Sequence, residues 1–439
     1  MNRSSKKKKV IFTALFTLFW LILWEVFARI LSNSFLIAGP VDTVCHFISD
    51  IKDKSFYVRI LGTVLSVLAG FVSGFVLGII LGGLSAGSSM VKMFLSPLLL
   101  VMKSVPIASF VVLVLVLFGG GFLTPLIVFI ITFPIFYQSV LTSFGDRNEL
   151  VEMGLVMHIR RRDRICYLYR ELCRDNILGA CHVAVGMGFK SGVAAEVIGI
   201  VKDSVGGGIY ESKLYLDTAG VLSWTLTVLL LSYILEKILI FLIRKLLTSH
   251  GIPKGTGRSL GTCSFNKEKE TYLYEDKTGV ELPGLDIKEG ETIRLEGASG
   301  KGKTTLMRSL WQSEDAAVLF QEDRLLKSLT PVQNVSLTVS KENKERVCDV
   351  LLTVLPEKLL NKKTEELSGG EKRRTAIVRA MLAGSKIILL DEPFTGLDSK
   401  AREKVRSLVE SERRGRAVIY SAHDKEDETL CNAEKVLEF

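Results

Sequence analysis

The chain has 439 residues, 48% of them hydrophobic, with 56 Lys and Arg against 47 Asp and Glu for a formal charge of +9. Its mean hydropathy of +0.32 is too high for an ordinary soluble protein, and the apolar residues crowd into roughly the first 250 positions, so a single water-soluble globule is excluded. The basic residues gather at Lys6 to Lys9, at Arg160 to Arg164 and after Leu242, each group beside an apolar stretch. That is positive-inside placement rather than a phosphate-binding groove, and no nucleic-acid partner is expected.

A helix needs about 20 apolar residues to cross about 30 Å of hydrocarbon at 1.5 Å per residue. In chain order, Val10–Leu31, Leu61–Ser85, Phe94–Phe118, Phe122–Ser143, Ile177–Val201 and Val221–Leu247 meet that need. The first is too long for the apolar core of a secretory signal and no small-residue cleavage site follows it, so it reads as a retained anchor. The third carries Pro97 and Pro106 with Lys103 between them and is expected to be broken or kinked. Gly70, Gly74, Gly78, Gly82 and Gly83 in the second suit close helix packing. Six crossings put both ends on one side. Both ends are basic, and the connection from Gly145 to Asn176, on that same side, carries seven arginines. The N-terminus and everything after the last span are therefore expected in the cytoplasm of a multi-pass protein of the cell (inner) membrane.

Charges within spans are costly, so Glu25, Lys103, Lys190 and Glu196 call for a functional reading first. Lys103 or Lys190 facing an internal cavity would attract an anionic solute; snorkelling, or pairing with a carboxylate, is the structural alternative. The seven cysteines are odd in number and lack a Cys-x-x-Cys pair, which argues against a disulfide framework and against a zinc site. Cys166, Cys173 and Cys181 read as small buried thiols.

Three domains follow: an apolar span region at 1–247, a Gly-, Ser-, Lys- and Pro-rich linker at 248–262, and a soluble α/β domain at 263–439. In the last, strand-like runs at Thr292–Glu296, Ala316–Phe320, Lys386–Leu390 and Ala417–Ser421 alternate with helical stretches, as in a mostly parallel sheet. Between the first of these strands and a helix lies Gly297-Ala298-Ser299-Gly300-Lys301-Gly302-Lys303-Thr304-Thr305. Its glycines let backbone N–H groups approach phosphates, the helix N-terminus adds its dipole, Lys303 reaches the β- and γ-phosphates, and Thr304 ligates Mg²⁺. Ile387 to Leu390 form a wholly apolar strand that delivers Asp391 to the metal and Glu392 to the attacking water as general base.

With Leu367-Ser368-Gly369-Gly370-Glu371 between these two elements, the chain resembles the ATP-binding cassette family through nearly the whole of 263–439. Further likeness lies in Phe320-Gln321-Glu322-Asp323, in Pro393-Phe394-Thr395-Gly396-Leu397-Asp398 and in Ser421-Ala422-His423-Asp424. The resemblance implies that Gln321 senses Mg²⁺ and the attacking water. It implies also that the Ser368–Glu371 segment binds the γ-phosphate held by an opposite subunit, that Asp398 is one of the nucleotide-binding residues, and that His423 contacts the γ-phosphate. Tyr274 is placed to stack on adenine, with Tyr272 as the alternative. The stretch from Lys303 to Gln321 is short for the family, so a small antiparallel β-segment there is expected to be trimmed, and a regulatory domain after His423 is not expected.

The span region resembles the binding-protein-dependent permeases of the sulfonate, taurine, nitrate and thiamine-precursor group. The likeness rests on Trp24-Glu25, on Pro106 with Phe118-Gly119-Gly120-Gly121, and on Ala194-Ala195-Glu196-Val197-Ile198-Gly199 with Gly206-Gly207-Gly208. Glu149 to Glu171 stands where that group has the loop that docks on the ATPase, with His158 in place of a glycine and Arg170-Glu171 in place of Leu-Pro. Together the resemblances imply a six-span helical permease fused to an ABC-type P-loop NTPase, with ATP and Mg²⁺ as cofactors. They imply a homodimer that imports a small solute of sulfonate, nitrate or pyrimidine type, delivered by an extracytoplasmic solute-binding protein. An ATP-driven exporter and a membrane sensor that moves nothing are the alternatives.

Overall fold

The structure, a computed structural model, describes residues 3–31, 37–145, 149–248, 251–273, 279–297, 301–421 and 433–439. It divides into two compact units, one of Met1–Ser143 with Asp175–Lys245, the other of Phe144–Arg174 with Leu246–Phe439.

The first unit is helical. Its long helices are Arg3–Leu31, Lys54–Gly87, Leu123–Phe144 and Thr218–Leu247, together with most of Arg170–Ile198. These are five helices long and apolar enough to cross a membrane, and six spans if Ser89–Ser104 and Ile107–Phe118, bent by 104° at their junction, count as one. The break falls at Pro106, while Pro97 sits inside a continuous helix. A proline pushes the residue before it out of the helical region, and Val105 is indeed extended at ψ 132°. Leu65, Phe94, Val116, Leu230 and Phe241 are among many large apolar side chains that stay exposed. In water such a surface would aggregate; in hydrocarbon it is ordinary.

Packing within this unit uses the absence of side chains. Gly70, Gly74, Gly78 and Gly82 form one face of Lys54–Gly87 against Leu123–Phe144. A Cβ at Gly78 would stand 2.7 Å from Phe136 Cβ, and one at Gly82 3.0 Å from the Tyr137 carbonyl. Gly83 points into open space and is not part of that seam. Glu196, 1% exposed, accepts hydrogen bonds from Thr63 Oγ1 at 2.8 Å, Thr124 Oγ1 at 3.2 Å and the Gly206 amide at 3.0 Å, tying three helices and the start of Val205–Leu214. Glu25 accepts from Arg29 Nε at 2.7 Å and from the Val41 amide at 3.2 Å, which anchors the short helix Pro40–Asp50. Both carboxylates are thus accounted for by packing and pairing.

The second unit is built on a parallel sheet. Its strands are β1 (Phe265–Lys267), β2 (Glu270–Leu273), β3 (Gly279–Leu282), β4 (Leu285–Ile287), β5 (Thr292–Glu296), β6 (Ala316–Leu319), β7 (Ile387–Leu390), β8 (Ala417–Ser421) and β9 (Lys435–Glu438). The five-stranded sheet runs in the order β6-β7-β8-β5-β9 with every pairing parallel, and β1–β4 and β2–β3 form two antiparallel pairs. Parallel strands covered on both faces need apolar residues throughout, and every residue of β6, β7 and β8 is buried. Between the helix Lys303–Ser313 and β6 lie only two residues, so no β-segment intervenes among the described residues.

Gly251 to Thr262 forms neither helix nor strand, yet it lies along the sheet unit as a bound strap. Thr256 donates its amide to the Val339 carbonyl at 3.2 Å, Lys341 donates to the Arg258 carbonyl at 3.0 Å, and Arg258 pairs with Asp315 at 3.0 Å.

Candidate functional site

β5 ends at Glu296, and the chain turns through Gly297 at φ 148° and Gly302 at φ 101° before the helix Lys303–Ser313 begins. Those backbone angles are open to glycine and barred to most residues, which is why the loop is glycine-rich. Lys303, 7% exposed, donates from Nζ to the Gly297 carbonyl and so closes the loop on itself. Thr304 Oγ1 donates to Asp391 Oδ2 at 3.1 Å, across 87 residues of sequence.

The parallel register of β7 between β6 and β8 sets Asp391 at the sheet's carboxyl edge. Ser421, at the end of β8, donates from Oγ to Asp391 Oδ1 at 2.7 Å and accepts the Glu392 amide at 2.9 Å. Burial raises the Asp391 carboxyl above its ordinary value, and the Ser421 and Thr304 hydrogen bonds oppose that shift. Glu392 holds φ 50°, a conformation that costs a non-glycine residue about 1 kcal/mol or more. Strain at the candidate base is the kind of local expense that functional sites carry.

Adjacent ligands of an octahedral magnesium ion at about 2.1 Å stand about 3.0 Å apart, and the Thr304–Asp391 separation of 3.1 Å fits that spacing. Among the described residues no cluster of three His, Cys, Asp or Glu could hold a metal by itself. One hydroxyl and one carboxylate leave the remaining positions to phosphate oxygens and water, as suits Mg²⁺ rather than a metal held wholly by protein.

The helix Gly369–Leu382 starts with a capping box. The Glu371 amide donates to Ser368 Oγ at 3.4 Å, and the Ser368 amide donates to Glu371 Oε2 at 2.8 Å. That last bond holds the Glu371 carboxyl below its usual range. Ser368 and Gly369 are exposed, so the positive end of this helix dipole is offered outward. Asp398 caps the helix Ser399–Glu412, accepting the Ala401 amide at 2.8 Å. Gln321 is exposed, and Lys301, Thr305 and Gly370 lie on the described part of the loop and helix. Tyr274, Ser299, Gly300 and His423 fall outside the described residues; Tyr272 lies in β2.

Sequence reading missed Arg373. It is 4% exposed, and Nη1 donates to the carbonyls of Phe320 at 2.8 Å and Gln321 at 3.1 Å and to Asp323 Oδ1 at 3.1 Å. Its Nη2 donates to the carbonyls of Asp391 and, at 2.8 Å, Glu392. One guanidinium thus staples the Gln321 loop and the Asp391-Glu392 turn to the capped helix. Arg379 does the same one layer deeper, on the carbonyls of Asp323 and Arg324, and burial lowers it to about 10. An arginine in a helical pattern reads as solvated, and only the fold reveals a buried one.

The segment between two of the spans is built into this unit. Met153, Met157, Ile159 and Leu168 are buried in one cluster with β4, β5, β6 and the helix Lys303–Ser313. Glu152 accepts from Arg324 at 2.8 Å, three residues beyond Gln321, and Glu171 accepts from Ser328 N at 2.9 Å. His158, in place of the glycine, takes φ 52°, so the turn a glycine would favour is made here against a steric cost of about 1 kcal/mol.

In the first unit, a cavity of about 610 Å³ is lined by Lys103, Gln138, Ser139, Thr142 and Asn176 among apolar residues. Lys103 Nζ stands 3.5 Å from Gln138 Oε1. Lys190 is exposed and does not line it.

A family profile described as ABC transporter matches residues 311–395. The aliphatic sulfonates import ATP-binding protein SsuB 2 of Rhodococcus jostii is 34% identical over 180 residues, 37% of this chain and 73% of that protein. The corresponding SsuB 1 of Shouchella clausii is 32% identical over 197 residues, 42% of this chain and 74% of that one. A solved dimeric ATP-binding cassette with ADP and phosphate bound is 26% identical, covering 40% of this chain and 93% of its own, at a TM-score of 0.34.

Proposed function

The chain belongs to the ABC transporters and is an ATPase joined to a helical region of apolar spans, and from that premise we propose that it imports a small anionic solute, working as a homodimer in the cell membrane. The observation that carries the coupling is Glu152 on Arg324. A segment lying between two spans is fixed to the loop that bears Gln321, so movement of that loop and movement of the segment are one event.

Lys303 and the loop N–H groups hold the β- and γ-phosphates, Thr304 and Asp391 hold Mg²⁺, and Glu392 takes a proton from the attacking water. When bound, the magnesium ion neutralises charge developing on the phosphates. Ser368 and Gly369 face outward and with Gly370 serve the γ-phosphate held by a second copy, with Asp398 and His423 at that seam; Tyr274 stacks on adenine. Gln321 reports the nucleotide state to the span region through Arg324 and Glu152. The N-terminus and ATPase lie in the cytoplasm, and a solute-binding protein delivers cargo from outside. The aliphatic sulfonates named for two relatives, and the single ammonium of Lys103 among hydroxyl and amide groups, support an anion small enough for about 610 Å³.

Uptake of a labelled organosulfonate into sealed vesicles, with ATP and an added binding protein, tests this reading. Wild type accumulates the solute, and Glu392→Gln binds ATP but loses at least about 100-fold in turnover and uptake. Extrusion in place of uptake would make the chain an exporter, and turnover with no solute movement would make it a sensor.

A further inference from the structure

We infer that a second, basic cavity in the sheet-bearing unit is a binding site for a phosphate group, either free inorganic phosphate or the headgroup of an anionic glycerol lipid. The cavity is about 440 Å³ and its walls include Arg160, Arg162, Asp163, Tyr167, Arg170 and Lys254. None of these belongs to the nucleotide loop. Charges placed only to orient the spans need lie near the membrane and no more. Here the cations of 160–170 and Lys254, from a second and distant stretch of chain, converge on one concavity, which orientation does not require.

The chemistry of the walls narrows the ligand. Three guanidinium groups and an ammonium against one carboxylate leave a net charge of about +3, and planar guanidinium groups match phosphate oxygens two at a time. Arg160 is held in place by its own Nε, which donates to the Thr256 carbonyl at 3.1 Å. Asp163 is 6% exposed; the Lys254 backbone N–H bonds its carboxylate, and its Oδ2 is buried with no hydrogen-bond partner. A buried acceptor left unmade is expensive. The charges of Arg160 and Arg162 offset that cost, and the N–H groups of the cations serve the oxygens of the ligand.

Position gives both sources access. Arg170 is the first residue of the helix Arg170–Ile198, which continues into a candidate span, and Ile252 follows the end of Thr218–Leu247 by five residues. The chain thus passes from the end of a span helix to a wall residue of the cavity within five residues. The same wall residues run on from Met157 and Ile159, whose burial in the ATPase core makes occupancy of the cavity a means of stiffening the segment that carries Glu152.

The test uses the full chain with its nucleotide sites filled by a non-hydrolysable ATP analogue and Mg²⁺, so that phosphate cannot report through the nucleotide loop. Thermal melting is followed in two arms: in phosphatidylcholine discs titrated with inorganic phosphate, and in discs of phosphatidylcholine with and without phosphatidylglycerol. Wild type is stabilised in at least one arm; the arm that responds identifies the source. Arg162→Gln/Arg170→Gln should weaken the response about tenfold per arginine. Arg162→Lys/Arg170→Lys, which keeps the charge and loses the fork, should fall between. Lys254→Gln, outside the coupling segment, checks that the loss is local to the cavity. No stabilisation of wild type in either arm, or an equal response from the Gln variants, overturns the site. Only the lipid arm leans on the transport reading, and ATP turnover measured in parallel would survive such a failure.

Discussion

Each unit buries charge, and each holds it with dipoles rather than with an opposite charge alone, but to different ends. In the helical unit Glu196 sits among two threonine hydroxyls and one amide from separate helices, so a carboxylate serves as the knot of a bundle. In the sheet unit Arg373 and Arg379 sit among backbone carbonyls of loops that have no regular structure of their own. The lesson is that the same expedient, a desolvated charge held by several hydrogen bonds, joins helices in one unit and gives shape to the loops of the candidate site in the other.

That contrast is open to attack, most strongly at Arg373. Arg373→Met should cost about 3–5 kcal/mol, because the carbonyls it serves are left buried and unpaired, and ATP turnover should vanish with it. Turnover near wild type would show that the Gln321 loop holds its shape unaided. Glu196→Ala in the helical unit should cost about 3 kcal/mol by orphaning its donors, read as a lower melting temperature in detergent. Glu196→Gln, which keeps an acceptor, should recover much of that, and ATP binding should survive in both.

Asp391→Asn sharpens the comparison through pH. Burial raises the Asp391 carboxyl, so the folded wild type binds the proton more tightly than the unfolded chain and loses stability as pH rises from the ordinary aspartate value of 3.8 through the raised folded value. The asparagine variant lacks that loss. Its melting temperature should therefore exceed wild type at neutral pH, with the gap closing in acid, while Mg²⁺-dependent hydrolysis is abolished. A gap independent of pH would refute the desolvation account. The smallest effect is expected at His158: His158→Gly relieves a left-handed backbone and should add about 1 kcal/mol without altering the fold of the coupling segment.

Much of the site was legible because its parts are contiguous. The nucleotide loop, the capped Ser368–Glu371 turn and the acidic strand end each carry their chemistry within a few neighbouring residues, and the strands that frame them announce themselves by unbroken apolar runs. The spans were legible for the same reason, including the break at Pro106, although the angle and the continuity of the helix through Pro97 were not. Arg373 was illegible: its partners lie 18 to 53 residues away, and nothing in a helical pattern separates a buried arginine from a solvated one. Lys103 and Lys190 looked alike in sequence, yet only the first lines a cavity.

What the sequence alone determined, then, is which chemical groups are present and the local turns that present them, since propensity, capping and hydropathy act over a handful of residues. Tertiary structure decided which of those groups meet. It set Thr304 against Asp391, made Met153 and Met157 part of the ATPase core, brought Lys254 to the arginines of 160–170 in one basic cavity and gave Glu196 its donors. Each of these depends on bringing distant chain segments together, and the energy for that comes from the burial of the whole core rather than from any one stretch of it.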